Sequence, residues 1–171
     1  TLSQPTKGAE TTAISTGSSS STVQPPSDGL VAHWTLDGVT YESVNGSTGF
    51  AHGDLQEVEG VESTAYNFDD SEDYISLGSW EGVPSSNITV TAWTKVSNFT
   101  GNKQFLLDMR NGGRHIVIGT NNDTTVSYHD GNNWQGNATI PTGEWMFIAV
   151  TYSDSQSQLF IDKSRVHHAG Y

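Results

Sequence analysis

Apolar and polar residues alternate along Ile88-Thr89-Val90-Thr91-Ala92-Trp93-Thr94-Lys95-Val96, the period of two that marks a strand with one buried face. Trp145-Met146-Phe147-Ile148-Ala149-Val150 is apolar at both parities, as a central strand covered on two sides would be. Further strand-like runs fall at Leu30–Leu36, Tyr74–Leu77, Gln104–Met109, His115–Gly119, Thr124–His129 and Gln158–Ile161, and the apolar run of the central strand extends to Tyr152. Between them stand Asn111-Gly112-Gly113, Asn121-Asn122-Asp123 and Asp130-Gly131-Asn132, residue types that accept positive φ and close hairpins. No segment carries a sustained apolar stripe at helical spacing. The pattern predicts an all-β fold with almost no helix: an antiparallel two-sheet jelly-roll sandwich, since short strands joined by Gly/Asn turns must bury one face of each sheet against another.

The first 28 residues do not share this pattern. Their large apolar side chains are Leu2, Ile14 and Val23, and the run Gly17-Ser18-Ser19-Ser20-Ser21 is followed by Pro25-Pro26. That composition buries too little surface to fold alone, so residues 1–28 are expected to be an extended Ser/Thr-rich tail or linker and residues 29–171 the sandwich. Within the tail, Thr11-Thr12-Ala13-Ile14-Ser15-Thr16 has the character of a strand that could be donated to an open sheet edge of a neighbouring copy.

Charge narrows the partners. With 19 acidic against 7 basic residues the chain carries a formal charge of -12, which repels phosphate backbones and anionic headgroups. Nucleic acid and membrane insertion are therefore not expected, and no apolar run approaches the ~20 residues of a bilayer span. The acidity either keeps a surface protein soluble or marks a high-salt, halophilic setting. The chain has no cysteine, so neither disulfides nor thiolate metal sites are available. Sequons at Asn45, Asn87, Asn98, Asn122 and Asn137 favour an exported, glycosylated surface.

Taken in order, Gly29-Leu30-Val31-Ala32-His33-Trp34-Thr35-Leu36-Asp37, Ala65-Tyr66-Asn67-Phe68-Asp69-Asp70, Asp73-Tyr74-Ile75, the run from Ile88 to Trp93, the run from Trp145 to Tyr152, and Leu159-Phe160-Ile161-Asp162 form a series. This series resembles the laminin-G-like domains of the concanavalin-A-like lectin/glucanase superfamily, in their microbial surface-protein form, from about Gly29 to Val166. The resemblance implies that Trp34, Phe68, Trp93, Trp145 and Phe160 fill the core between two sheets. Where the family has Asp-Gly after the late strand, this chain has Asp162-Lys163-Ser164, so a looser hairpin is expected. Family members also continue with strands that return beside the first, which implies an open edge here. A trimmed terminus, the chain's own tail or a neighbour's tail would each account for it.

Enzymatic chemistry finds no support in the residues. The paired carboxylates of a glycoside hydrolase would alternate on one strand, whereas Glu57-Val58-Glu59 and Glu62 lie in a segment that reads as a turn. His33, His52, His115, His129, His167 and His168 lack zinc-ligand spacing, and no Gly-x-Ser-x-Gly elbow occurs. Calcium is the cofactor the resemblance implies, with Asp69, Asp70 and Asp73 as the candidate ligands and Asp37 near Glu42 and Asn45 as a further acidic place. Trp80 and Trp134, in Gly/Asn/Ser-rich surroundings, are the candidate exposed stacking surfaces. The expected function is a non-catalytic, extracellular binding or adhesion module that recognises glycan or protein; the alternative is a structural subunit of a filament or surface layer built from copies of itself by tail donation.

Overall fold

A computed structural model describes residues 28–78, 87–111, 114–120, 125–129, 133–153, 156–162 and 164–170. The chain divides into two units, Thr1–Leu30 and Val31–Tyr171, and the architecture below is that of the second. Twelve strands run β1 Phe50–His52, β2 Gln56–Glu59, β3 Thr64–Asn67, β4 Tyr74–Ser76, β5 Ile88–Thr94, β6 Gln104–Asn111, β7 Arg114–Thr120, β8 Thr125–His129, β9 Trp134–Thr139, β10 Met146–Tyr152, β11 Gln156–Ile161 and β12 Ser164–Gly170. No helix occurs among the described residues.

Two four-stranded antiparallel sheets, ordered β12-β11-β10-β5 and β6-β7-β8-β9, make the sandwich, and the pairs β1-β4 and β2-β3 complete it. One cluster joins the large sheets: Ile118, Val126, Tyr128 and Ala138 from the second pack against Met146, Ile148, Val150 and Leu159 from the first. The Tyr128 hydroxyl meets Ser157 Oγ across that interior, so the one large polar side chain in the cluster has its hydrogen bond there. The expected alternation holds along β5, where Ile88, Val90 and Ala92 turn inward and Thr89 and Thr91 outward. β10 lies between β11 and β5, the interior place its apolar run predicted.

Several expectations are corrected. The core is aliphatic around Tyr128, and the aromatics named for it are only partly used: Trp93 is 51% and Phe68 48% exposed, while Trp34, Trp145 and Phe160 are half-buried. Parity explains Trp93, which shares the outward face with Thr89 and Thr91. Leu30–Leu36 forms no strand; its backbone is held instead by the following loop, with the His33 N–H donated to Glu42 Oε1 and the His33 carbonyl accepting the Ser43 N–H. Residues 57–59 belong to β2 rather than to a turn, and Trp134 opens β9 rather than lying in a loop.

The β11–β12 hairpin is tight, not loose. Ile161 pairs with Ser164, leaving two residues between the strands. Asp162 takes φ 52°, and it both donates its N–H to the Phe147 carbonyl (2.7 Å) and accepts the Phe147 N–H on Oδ1 (3.1 Å). Asp is among the residue types that accept positive φ in a turn, and the two bonds to Phe147 tie this one to β10.

Candidate functional site

The outward face of the β6-β7-β8-β9 sheet follows from its register. Asp108 is opposite Val117, Val117 opposite His129, and His129 opposite Trp134; in the next row Phe105 is opposite Gly119 and Gly119 opposite Ser127. Ser127 Oγ donates to Asn137 Oδ1 at 3.1 Å, which continues that row onto β9. The two rows place an indole, an imidazole, a carboxylate and an amide on one surface, with the Ser127 hydroxyl fully buried.

Trp134 is half-buried and fixed on two sides. Its ring stands edge-on to His129, with centroids 5.5 Å apart and planes at 84°, and the Lys103 ammonium lies 5.0 Å from its centroid. Gly136, φ 73°, falls where the β8–β9 register shifts, and this bulge re-aims the start of β9. Gly119 is required by close approach: a Cβ there would lie 2.3 Å from the Gln104 carbonyl oxygen and 3.1 Å from the Phe105 ring. The floor of the face is therefore small, and the aromatic stands at its β9 edge.

The acidic place forms differently from the expectation. Asp54, Asp69 and Asp73 bring carboxylate oxygens within 4.8 Å of one another, whereas Asp70 turns away to accept the Glu72 N–H at 2.6 Å. Asp54 enters because β1 and β4 pair His52 with Tyr74, which sets residue 54 beside residue 73. Asp73 organises the loop, with Oδ1 accepting the Asp54 N–H (3.2 Å) and Oδ2 those of Asp69 (3.0 Å) and Asp70 (3.3 Å). Residual desolvation, and then the neighbouring carboxylates of Asp73, Asp54 and Asp70, push the Asp69 carboxyl above its ordinary range. The donor set is hard oxygen only, which suits calcium rather than zinc.

Glu42 is a buried carboxylate that sequence reasoning placed only by proximity. It is 0% exposed, and its oxygens accept the N–H groups of His33 (2.9 Å), Val44 (2.5 Å) and Asn45 (2.5 Å). Burial alone would raise its carboxyl, yet the backbone donors of Asn45, His33, Val44 and Gly46 outweigh it and hold the group below the usual carboxylate range. Asp37 is not part of this arrangement, since its Oδ1 accepts the Thr64 N–H at 3.1 Å.

Of the other expected residues, Trp80, Asn122 and Thr11 to Thr16 lie outside the described residues. Asn45, Asn87, Asn98 and Asn137 are exposed; Asn45 donates from Nδ2 to the Val31 carbonyl and Asn137 is bound to Ser127. His52 stacks on Tyr74 at 4.2 Å, beside the acidic place.

Comparison with known proteins bears on these faces. A laminin G sequence family, described as the concanavalin A-like lectin/glucanases superfamily, matches residues 69–171. None of the curated proteins matches the chain. Among solved structures, domain 4 of AbnA, a GH43 extracellular arabinanase from Geobacillus stearothermophilus determined in complex with arabinotriose, is similar with a TM-score of 0.66 and 20% identity, over 82% of this chain and 75% of that one.

Proposed function

The chain belongs to the concanavalin A-like lectin/glucanases superfamily, and on that premise we propose that it is a non-catalytic module of a secreted or cell-surface protein that binds glycan on the outward face of the β6-β7-β8-β9 sheet. The observation that carries the reading is Trp134, a half-buried indole fixed by His129 and Lys103 at the edge of a face on which Asn137 is exposed. A sugar ring has an apolar face that stacks on an indole and a rim of hydroxyls that needs amide, hydroxyl and ammonium partners. The similar arabinanase domain was determined with a bound oligosaccharide, which supports the same class of ligand. The acidic place supports a calcium ion held by Asp54, Asp69 and Asp73, since a divalent cation would relieve the crowding of their charges.

The test is isothermal titration with arabinotriose and a panel of neutral oligosaccharides. Trp134→Ala is expected to weaken binding at least about tenfold, the scale of losing one aromatic anchor; undiminished binding would remove this face from the reading. The second reading, a filament subunit joined by donation of Thr11 to Thr16, draws on β5 and β12, which stand at the two edges of their sheet. Long regular particles that vanish when residues 1–28 are deleted would favour it.

A further inference from the structure

We propose a second carbohydrate site, for neutral oligosaccharides, on the outward face of the opposite sheet, β12-β11-β10-β5. It is independent of the Trp134 face.

The register lays this face out in three rows. Thr89, Thr151 and Gln158 are aligned across β5, β10 and β11; Thr91, Ala149 and Phe160 are aligned in the next row; Trp93 is opposite Phe147 in the third. The first row borders a cleft of about 260 Å³ whose lining includes Asn87, Thr89, Thr151, Ser153, Gln156 and Gln158. Among the described lining residues, hydroxyls and amides supply the polar groups, and Tyr152 is the one titratable side chain. None of the described residues that line the cleft carries a carboxylate, in a chain with 19 acidic residues.

The middle row is low at Thr91 and Ala149, and half-buried Phe160 bounds it on β11. The third row is aromatic: Trp93 is 51% exposed and meets Phe147 at 5.4 Å with planes tilted by 59°. Thr89 and Trp93 are four residue steps apart, about 13 Å along a strand. A polar cleft, a low floor and an exposed indole thus lie in one line along β5 and β10, the arrangement an extended sugar chain needs. None of the described lining residues is a cation, and hydroxyls find both donors and acceptors among them; Arg165, opposite Phe160 in the middle row, is a cation of this face outside that lining. An exposed tryptophan beside threonines also has no core role to account for it.

The experiment is a titration of the full chain, made in a host that does not N-glycosylate because Asn87 is a sequon at the cleft, with arabinohexaose, xylohexaose and cellohexaose against trigalacturonate. Stoichiometry and affinity are read for the wild type, Trp93→Ala, Trp93→Tyr, Gln158→Ala and Trp134→Ala, with near-ultraviolet circular dichroism showing that each is folded. Two sites for at least one neutral hexasaccharide are expected, one of which weakens at least tenfold in Trp93→Ala and Gln158→Ala and is kept in Trp93→Tyr. A Trp134→Ala variant that retains this site, while Trp134-dependent binding is lost, supports both faces. If Trp134→Ala changes nothing and Trp93→Ala abolishes binding, the second site stands and the Trp134 reading falls. The proposal is overturned if Trp93→Ala binds as the wild type does, if Trp134→Ala removes all binding, if no neutral hexasaccharide binds, or if trigalacturonate binds the Trp93 face as well as they do.

Discussion

Lys103 and Trp134 belong to opposite edges of one sheet, and yet the ammonium of the first lies 5.0 Å from the ring centroid of the second. Lys103 immediately precedes β6 and Trp134 opens β9, three strand spacings or about 14 Å apart. Two long side chains therefore reach over the sheet towards each other. Ser127, on the β8 strand between those edges, is fully buried although it points away from the core.

Lys103→Ala is expected to lower stability by about 0.5–1 kcal/mol, the scale of an exposed cation–π contact, and to raise the quenching of Trp134 fluorescence by acrylamide. Chemical denaturation and quenching check the two parts separately. An unchanged quenching constant would mean that the two side chains do not meet in solution.

The placement of Leu159 and Trp93 predicts a reversal of what residue size suggests. Leu159 is 0% exposed within the cluster that joins the sheets, so Leu159→Ala should cost about 2–5 kcal/mol. Trp93 packs against Phe147 on the outward face, and Trp93→Ala should cost about 1 kcal/mol or less. Urea unfolding of both variants decides the order.

Much of the sandwich was legible because a strand with one buried face writes its parity into the sequence, as Ile88, Val90 and Ala92 do. The same parity turns Trp93 outward, although the resemblance to laminin-G-like domains implied a place in the core for it. β9 was hidden because Trp134-Gln135-Gly136-Asn137 contains turn-forming residues, and Gly136 sits at a bulge within a strand. The acidic place was half legible: Asp69 and Asp73 are neighbours in sequence, but Asp54 arrives through the pairing of β1 with β4, which no local pattern announces. Glu42 was illegible as a buried group, since its partners are backbone amides, and these have no signature in sequence.

Acid titration separates Glu42 from Asp69 by sign. Glu42 has a folded value below its ordinary 4.5, so its contribution is present above that pH and is lost as pH falls through the lower folded value. Glu42→Gln should cost several kcal/mol at neutral pH, about 1–3 kcal/mol for each poorly satisfied amide, and its unfolding midpoint should change less between neutral pH and strong acid than that of the wild type. Equal acid sensitivity of variant and wild type would contradict the assigned direction.

Asp69 runs the other way. Its folded value is raised, so its ionised form is a penalty above that value, and the penalty is relieved as pH falls through it. Asp69→Asn should therefore raise the thermal midpoint at neutral pH and low salt, and lose that advantage in acid. Millimolar calcium is expected to stabilise the wild type and to leave Asp69→Asn nearly unchanged, as scanning calorimetry in calcium and in chelator would show.

The amides of His33, Val44 and Asn45 all lean on one carboxylate. They cannot exchange their hydrogens one at a time, because any opening that frees one withdraws the shared acceptor from the rest. The entry to the domain, which forms no strand before β1, is thus a single latch: closed, it should resist proteases as well as a strand does, and open, it should release Val31 to Gly49 in one step.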